Sequence, residues 1–478
     1  MENRNSYAEK SQSVKKFKRI KIKDISEQLL GKHIHVCGWV RSLRSQKNFS
    51  FLEINDGSRF GSLQAILDDS LPDYAQLLST LTTGSSVAIG GTLTQSPGQK
   101  QAWEIKADSV HVYGSCPVDE YPLQKKRHSF EFLREIAHLR PRTNTQGAVA
   151  RVRNRLSYST HQFFQKQGFL YIHTPIITAS DTEGGGKQFL VTTLDVNKPP
   201  RHDDGTINFS KDFFHCPAYL TVSGQLNGET MACALSDIYT FGPTFRAENS
   251  NTTKHLAEFW MIEPEIAFAD LDDNIELAES YTRYVLADLL ENCTEDLEFF
   301  DAFIEKGLIQ RLKHVAFSSF AKIPYTEAIE ILKKSGRSFE FPVEWGMDLQ
   351  TEHERYLAEE HCKKPVFIVN YPEKIKAFYM RKNDDGKTVA ATDLLVPKIG
   401  ELIGGSQREE RPDVLERKIT DFGLEPSSYW WYMQLRKYGT VPHAGFGVGF
   451  ERLILFATGM ENIRDVIPFP RYPGHAEF

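Results

Sequence analysis

Two arginines in unlike surroundings carry the strongest chemical signal in the chain. Arg246 stands in SDIYTFGPTFRAENSNTTKHLAEFWMIEPEIAF, where apolar stretches flank a polar loop holding Arg246, Glu248, His255 and Glu258. A guanidinium presents a fork of N–H donors that binds phosphate oxygens in pairs, so Arg246 suits an α-phosphate. Phe259, just past the loop, has a ring that could lie flat under a purine. Arg452 stands in GFGVGFERLILFATGM, a glycine-rich strand running into a helix. Small residues let a ligand or backbone approach closely, and an arginine at the helix start could cover the nucleotide's other face. In a third segment, DLLVPKIGELIGGSQREER, Glu401 could hold Mg²⁺ and Arg408 follows a flexible Gly404-Gly405 pair. Magnesium prefers a few carboxylates plus phosphate oxygens to an all-protein cage.

These segments suit a nucleotide with Mg²⁺, the G-x-G pattern alone also fitting a dinucleotide site, and absences narrow the class. No G-x-x-x-x-G-K-[ST] is present, which excludes a P-loop, and GGGKQ at 184–188 has Asp181 where the first glycine would stand. The set of kinase signatures is missing as well. Six cysteines (Cys37, Cys116, Cys216, Cys233, Cys293, Cys362) are scattered without a C-x-x-C pair. That argues against a structural zinc site and a disulfide framework, and it suits a reducing cytoplasm. Apolar runs fall short of the roughly 18 residues of a membrane span, and the basic N-terminus precedes no signal-peptide core.

At 478 residues, the chain is expected to form two or three domains. The net charge is −6, yet Val14 to Asn48 hold ten Lys/Arg against two acids, Asp24 and Glu27. Such a basic stretch ahead of a small β module suits a phosphate-contacting surface. Residues 1–20 read as a flexible basic arm. From 21 to 115 the pattern predicts strands at 33–42, 49–55, 61–68, 85–94 and 102–113, with the helical PDYAQLLSTL between the third and fourth. That is the order of an all-β OB-fold barrel. In FSFLEIND, Ser50, Leu52 and Ile54 share one face; Phe49, Phe51 and Glu53 share the other. One set fills the barrel, and the other leaves rings outward as platforms for unpaired bases.

Residues 116–140, with Pro117, Pro122 and a KKR run, read as a linker or hinge. In 141–478, Val149, Val152, Leu156 and Phe163 mark one helical face and Gly168 ends the helix. YIHTPIIT is a strand broken by Pro175, which belongs at an edge or interface. The rest alternates strands and helices without a regular βαβ period, so an α+β domain with a mainly antiparallel sheet is expected.

At these segments the chain resembles the class II aminoacyl-tRNA synthetases. GFLYIHTPIIT is similar to the family's motif 1, FRAEN through HLAEFWMIEPE to motif 2, and GFGVGFERL to motif 3. The OB module resembles that of the aspartate, asparagine and lysine subgroup, which reads the anticodon with it. The resemblance implies that Arg246 binds the ATP α-phosphate and that Arg452 stacks over adenine opposite Phe259. It implies that Glu248 and His255 position ATP and that Glu401 coordinates Mg²⁺. Glu183, Gln225 and Glu263 would receive the amino acid's ammonium group, Phe51 would stack on an anticodon base and Gln64 would bond the central uridine. It further implies a homodimer through motif 1.

The amino acid turns on few residues. Aspartate enzymes of this subgroup carry a lysine three positions after the substrate glutamine, whereas here SGQLNGE places Gly228 there. Glu229 would repel a second carboxylate. Asparagine's amide suits the pair instead, its carbonyl accepting from Arg408 and its NH₂ donating to Glu229. KAFYMR and IRDVIPFPRYPG also resemble the asparagine-specific members, as does the polar insertion between Phe189 and Phe214 in bacterial and organellar forms. The expected substrates are therefore L-asparagine and tRNA(Asn), with an aspartyl enzyme as the alternative.

Overall fold

A computed structural model describes residues 19–98, 101–180, 188–249 and 252–478. Most of the 1–20 arm, and with it residues 1–18, lies outside the described residues, as does Glu183 in the 181–187 stretch. The chain divides into two compact units. The first comprises residues 1–133 and 142–148; the second comprises residues 134–141 and 149–478.

The first unit is a closed five-stranded barrel. Its strands are β1 (His33–Ser45), β2 (Phe49–Asn55), β3 (Leu63–Asp68), β4 (Ser86–Gln95) and β5 (Trp103–Gly114), joined in the order β1-β2-β3-β5-β4. Helix α1 (Tyr74–Thr80) lies between β3 and β4 in sequence, where PDYAQLLSTL places it. The period-two reading of β2 holds: Ser50, Leu52 and Ile54 are buried, and Phe49, Phe51 and Glu53 are half-buried. Enclosing a leucine or isoleucine contributes about 1.5–3 kcal/mol each, so this alternation fixes which face turns inward. Gly91 is required by close approach, since a Cβ there would lie 2.2 Å from the Lys106 carbonyl oxygen beside a bulge in the β4–β5 pairing.

The second unit is built on an eight-stranded sheet. After β6 (Leu170–Tyr171) come β7 (Ile177–Thr178), β8 (Leu190–Val191), β9 (Ala218–Leu220), β10 (Asp237–Phe245) and β11 (Glu258–Ala267). Then follow β12 (Ala321–Pro324), β13 (Val366–Pro372), β14 (Thr388–Val396), β15 (Gly400–Gln407) and β16 (His443–Gly449). The large sheet runs β12-β13-β14-β15-β16-β11-β10-β6. It is antiparallel except at its two edges, where β12 pairs β13 and β6 pairs β10 in parallel. The α+β expectation thus holds. Strands β7, β9 and β8 form a separate small sheet.

Helix α2 (Asn144–Lys166) buries the face that its spacing marks, with Val149, Val152, Leu156 and Phe163 all at most 4% exposed. Gly168 follows it at φ +89°, a left-handed conformation that favours glycine. The Pro175 segment splits as its chemistry requires. β6 is the edge of the large sheet, Pro175 lies beyond it, and β7 joins the small sheet. Of the 116–140 stretch read as a linker, residues 130–135 form a helix, and Arg134 binds Asp465 at 2.6 Å within the second unit.

Two glycines differ from their expectation. Gly404 and Gly405 are not a flexible pair; they lie inside β15, paired with β16 on one side and β14 on the other. A Cβ on Gly405 would lie 2.8 Å from both the Gly445 carbonyl oxygen and Phe446 Cβ, and 2.9 Å from Asn274 Nδ2. Close packing, rather than freedom, selects glycine here.

Candidate active site

Strand β11 is the axis of the site. Phe259, Met261, Glu263 and Glu265 alternate along it, so they project from one face over roughly 20 Å of strand. Neighbouring β16 contributes glycines beneath that face. A Cβ on Gly447 would meet Met261 Cε at 2.7 Å, and one on Gly445 would meet the Glu265 carboxyl at 2.4 Å. The glycine-rich pattern of GFGVGFERL is thus the space in which β11's long side chains lie.

At one end of β11 is an open cavity of about 170 Å³. Arg246, Glu248, His255, Phe259, Glu401 and Arg452 all line it, together with Lys254, Gly447 and Gly449. Arg246 and Phe259 reach it from the two arms of the β10–β11 hairpin, whose tip includes residues 250 and 251 outside the described set. The Arg246 guanidinium lies 5.4 Å from the Phe259 ring centre. Arg452, in the first turn of the helix Phe450–Thr458 that follows β16, donates Nη1 to the Glu401 carbonyl oxygen at 3.1 Å and to its Oε2 at 3.2 Å. Burial pushes the His255 ring down from its ordinary value, which favours the neutral form.

The same end holds a pair of carboxylates. Asp393 on β14 is directly opposite Gly404 on β15. A Cβ on Gly404 would lie 3.0 Å from Glu401 Oε1 and 3.5 Å from Asp393 Oδ1, so glycine keeps the space between the two carboxylates open. Two hard oxygen ligands beside a phosphate-sized cavity fit Mg²⁺, which takes its remaining ligands from phosphate and water. Among the described residues no cluster of three or more metal-binding side chains occurs. Lys376 pairs with Asp393 at 2.7 Å, and the Glu401 amide donates to the half-buried Glu354 at 3.1 Å. Glu401 itself is pushed up by burial but is held below its usual range by Arg452 and Lys376.

At the other end of β11 the polar groups are enclosed. Glu263 accepts from the Ser223 hydroxyl, from the Gly224 amide at 2.9 Å and from the Thr240 hydroxyl at 3.2 Å. Helix α3 (Gln225–Leu235) carries Gln225 and Glu229 in its first turn and a half. Gln225 donates to Glu229 at 3.0 Å. Arg408, just past β15, approaches Glu229 to 4.0 Å and grips Glu265 with Nε and Nη2. Burial pushes Glu265 up from its ordinary value while Arg408 pulls it down, and the two-pronged contact marks it as the guanidinium's partner. Gln225, Glu229, Glu263 and Arg408 are therefore brought into one buried cluster, separate from the lining of the 170 Å³ cavity.

Several members of these clusters were not singled out in the sequence. Glu265 shares β11's alternation with Glu263, and that parity was the available signal. Asp393 gives no local signal, because only strand pairing brings it to Glu401. Tyr432, Arg436 and His443, which all bond Glu229, are more than 200 residues from it in sequence.

On the barrel, Phe51 and Gln64 face a broad groove of about 1210 Å³ that also includes Arg44, Phe49, Trp103 and Glu104. Phe49 and Phe51 meet edge to face at 5.1 Å, and the Arg44 guanidinium lies 5.8 Å from the Phe51 ring. Gln64 donates its amide N–H to Glu104 at 3.1 Å, which turns its carbonyl oxygen into the available acceptor.

Comparison with known proteins follows the same division. Residues 129–473 match the family described as tRNA synthetases class II (D, K and N), and residues 34–113 match the OB-fold nucleic acid binding domain. The asparagine–tRNA ligase of Protochlamydia amoebophila is 62% identical over 450 residues, spanning 94% of this chain and 96% of that protein. That of Thermosynechococcus vestitus is 59% identical over 459 residues, spanning 96% and 99%. Among solved structures, asparaginyl-tRNA synthetase from Pyrococcus horikoshii complexed with asparaginyl-adenylate superposes with a TM-score of 0.84 at 31% identity. It covers 96% of this chain and 100% of that one.

Proposed function

The chain belongs to the class II tRNA synthetases of the D, K and N group, and we propose that it is the asparagine-specific ligase, with an OB-fold barrel that reads the anticodon. It uses ATP to convert L-asparagine to asparaginyl-adenylate and pyrophosphate, then transfers asparagine to the 3′ end of tRNA(Asn). The observation that carries the choice of amino acid is the buried juxtaposition of Arg408 and Glu229 at 4.0 Å, with Gly228 in place of a second cation. An amide needs one donor and one acceptor at its tip, and this pair supplies both.

The chemistry requires positioning and charge stabilisation more than a side-chain nucleophile. Asparagine's carboxylate oxygen attacks the α-phosphorus, and the bond to the pyrophosphate oxygen breaks. Arg246 binds the α-phosphate oxygens as negative charge grows there. Adenine lies between Phe259 and Arg452, and Glu248 and His255 orient the rest of the nucleotide. Arg452 exchanges its contact with Glu401 for the base. Magnesium held by Glu401, with Asp393 beside it, would neutralise phosphate charge. Gln225 and Glu263, with Glu183 from the neighbouring loop, receive the ammonium group. The terminal ribose 3′-hydroxyl of tRNA then attacks the adenylate's carbonyl carbon and AMP leaves. Because ATP and amino acid sit at opposite ends of β11, the new acyl-phosphate bond falls between them.

On the barrel, Phe51 stacks on an anticodon base and Gln64 accepts from the central uridine's N3–H. The protein acts in the cytoplasm as a homodimer. Support for the dimer comes from the apolar edge at β6 and β7, where Leu170, Tyr171, Ile176 and Ile177 are 38–46% exposed. Among the described residues no helix is long and apolar enough to cross a membrane. The deciding experiment is ATP–pyrophosphate exchange with each amino acid. Exchange should depend on L-asparagine and barely respond to L-aspartate; the reverse result would establish the aspartyl reading.

A further inference from the structure

Glu229 is the most enclosed charged group at the amino-acid end, with no exposed surface. Its Oε1 faces Gln225 Nε2 at 3.0 Å, and its Oε2 faces Arg436 Nη2 and His443 Nε2, each at 2.9 Å. The Tyr432 hydroxyl straddles both oxygens at 2.9 and 2.8 Å. Tyr432 has one proton to donate, so Gln225, Arg436 and Tyr432 donate to a carboxylate with about four lone-pair sites, and the His443 ring lies against Oε2. Arg436, 3% exposed, is anchored in turn by donating Nε to the Glu409 carbonyl oxygen at 2.9 Å, and its guanidinium lies 4.1 Å from the Tyr432 ring centre. Tyr432 and Arg436 sit one turn apart on a single helix, Trp430–Lys437. Gln225 differs from these partners. It stands at the start of α3 beside the Glu263 cluster, and its side chain ends in a carboxamide, the group that ends asparagine.

We propose that Tyr432 and Arg436 are positioning residues for amide recognition: Arg436 at Oε2 and Tyr432 across both oxygens fix Glu229 and keep it charged, with Oε1 as the acceptor that exchanges from the Gln225 carboxamide to the substrate's. This inference rests on the asparagine reading above. Without Arg436, a fully buried carboxylate loses its nearest cation, keeps only Arg408 at 4.0 Å and the His443 ring, and holds its charge less firmly. A protonated Glu229 carries a donor, so it accommodates aspartate's carboxylate as readily as asparagine's amide. The helix from Trp430 to Lys437 thereby sets selectivity without touching the substrate.

The test is amino-acid-dependent ATP–pyrophosphate exchange by the full chain, comparing wild type with Arg436→Met, Arg436→Lys and Tyr432→Phe. Arg436→Met is expected to raise the KM for asparagine about tenfold or more and to narrow the preference over aspartate by a similar factor, leaving the KM for ATP in place. Arg436→Lys should recover part of both, and Tyr432→Phe should move both in the same direction by less. In a double-mutant cycle, Arg436→Met added to Glu229→Gln should cost less than about twofold further, since it acts through Glu229. Full asparagine preference in Arg436→Met, equal changes in the constants for ATP and asparagine, or multiplying effects in the cycle would overturn the proposal. Thermal melting identifies a variant that fails to fold, and Tyr432→Phe, which removes a single oxygen, then decides by the same criteria. If wild type itself responds to aspartate, the asparagine reading fails, while the cycle still reports whether residues 436 and 229 are coupled.

Discussion

The two ends of β11 are built on opposite principles. At the nucleotide end, the charged groups line an open cavity and make interchangeable contacts; the side chains of Arg452 and Glu401 are 31% and 38% exposed even while bonded to each other. At the amino-acid end, Arg408, Glu229, Glu263 and Glu265 are at most 6% exposed and interlock with one another and their neighbours. The difference suits the tasks proposed for the two ends. A triphosphate brings its own strong charge and needs cations that can rearrange around it. Telling an amide from a carboxylate of the same shape needs groups already desolvated and fixed, because discrimination arises when a wrong ligand leaves a buried polar group unpaired.

Substitutions at each end can break or sharpen this contrast. The largest effect is expected from Arg246→Ala, which should lower the rate of exchange by about 10²–10³-fold with every amino acid. A loss confined to asparagine would place Arg246 at the wrong end. Glu229→Gln should do the reverse, leaving ATP binding intact while cutting the preference for asparagine over aspartate by roughly 10–150-fold. Competition assays with the two amino acids check it, and unchanged selectivity would mean that another group reads the amide. Phe51→Ala tests a region outside the comparison: it should raise the KM for tRNA by roughly 5–150-fold through a lost stacked base and spare exchange. Aminoacylation that stays normal would remove Phe51 from the anticodon surface.

The smallest expected effect concerns pH. Burial, and then repulsion from Glu401, pushes the Glu354 carboxyl up to about 8. That is above the value of about 4.3 in an unfolded chain, so the folded state retains a proton that the unfolded state has released. The associated stability is complete below about 4.3 and is lost as pH rises through about 8. Glu354→Gln should flatten that decline, measured as denaturation midpoints in metal-free buffer between about pH 5 and pH 9. An unchanged decline would show that Glu354 is ionised at neutral pH.

Local patterns carried the fold a long way. The alternation in FSFLEIND gives the inner face of β2, the spacing of Val149, Val152, Leu156 and Phe163 gives the buried face of α2, and Pro175 marks the break at the sheet edge. Arg246, Arg452 and Glu401 are visible for the same reason, because each sits in a segment whose neighbours are already unusual. Gly404-Gly405 was harder to read, since a glycine pair marks a loop unless something presses on it, and what presses is Asn274 and β16, distant in sequence. Asp393, Glu265, Tyr432, Arg436 and His443 were not legible as a set. Their meaning lies in partners reached by strand register and helix docking, and a linear pattern does not record those.

The glycines beneath β11 have a consequence for how the sequence can vary. Gly445 and Gly447 beneath β11, and Gly405 on β15 against Asn274, bear no side chain and occupy ordinary strand positions, yet even a methyl group at each would meet another atom at 2.8 Å or less. A systematic survey of substitutions would therefore find a line of intolerant positions crossing β15 and β16, as sharply constrained as the charged residues above it. Most of that constraint would be on the volume that each glycine leaves to its neighbours: Met261, Glu265 and Phe446 occupy the space that a side chain at these positions would need.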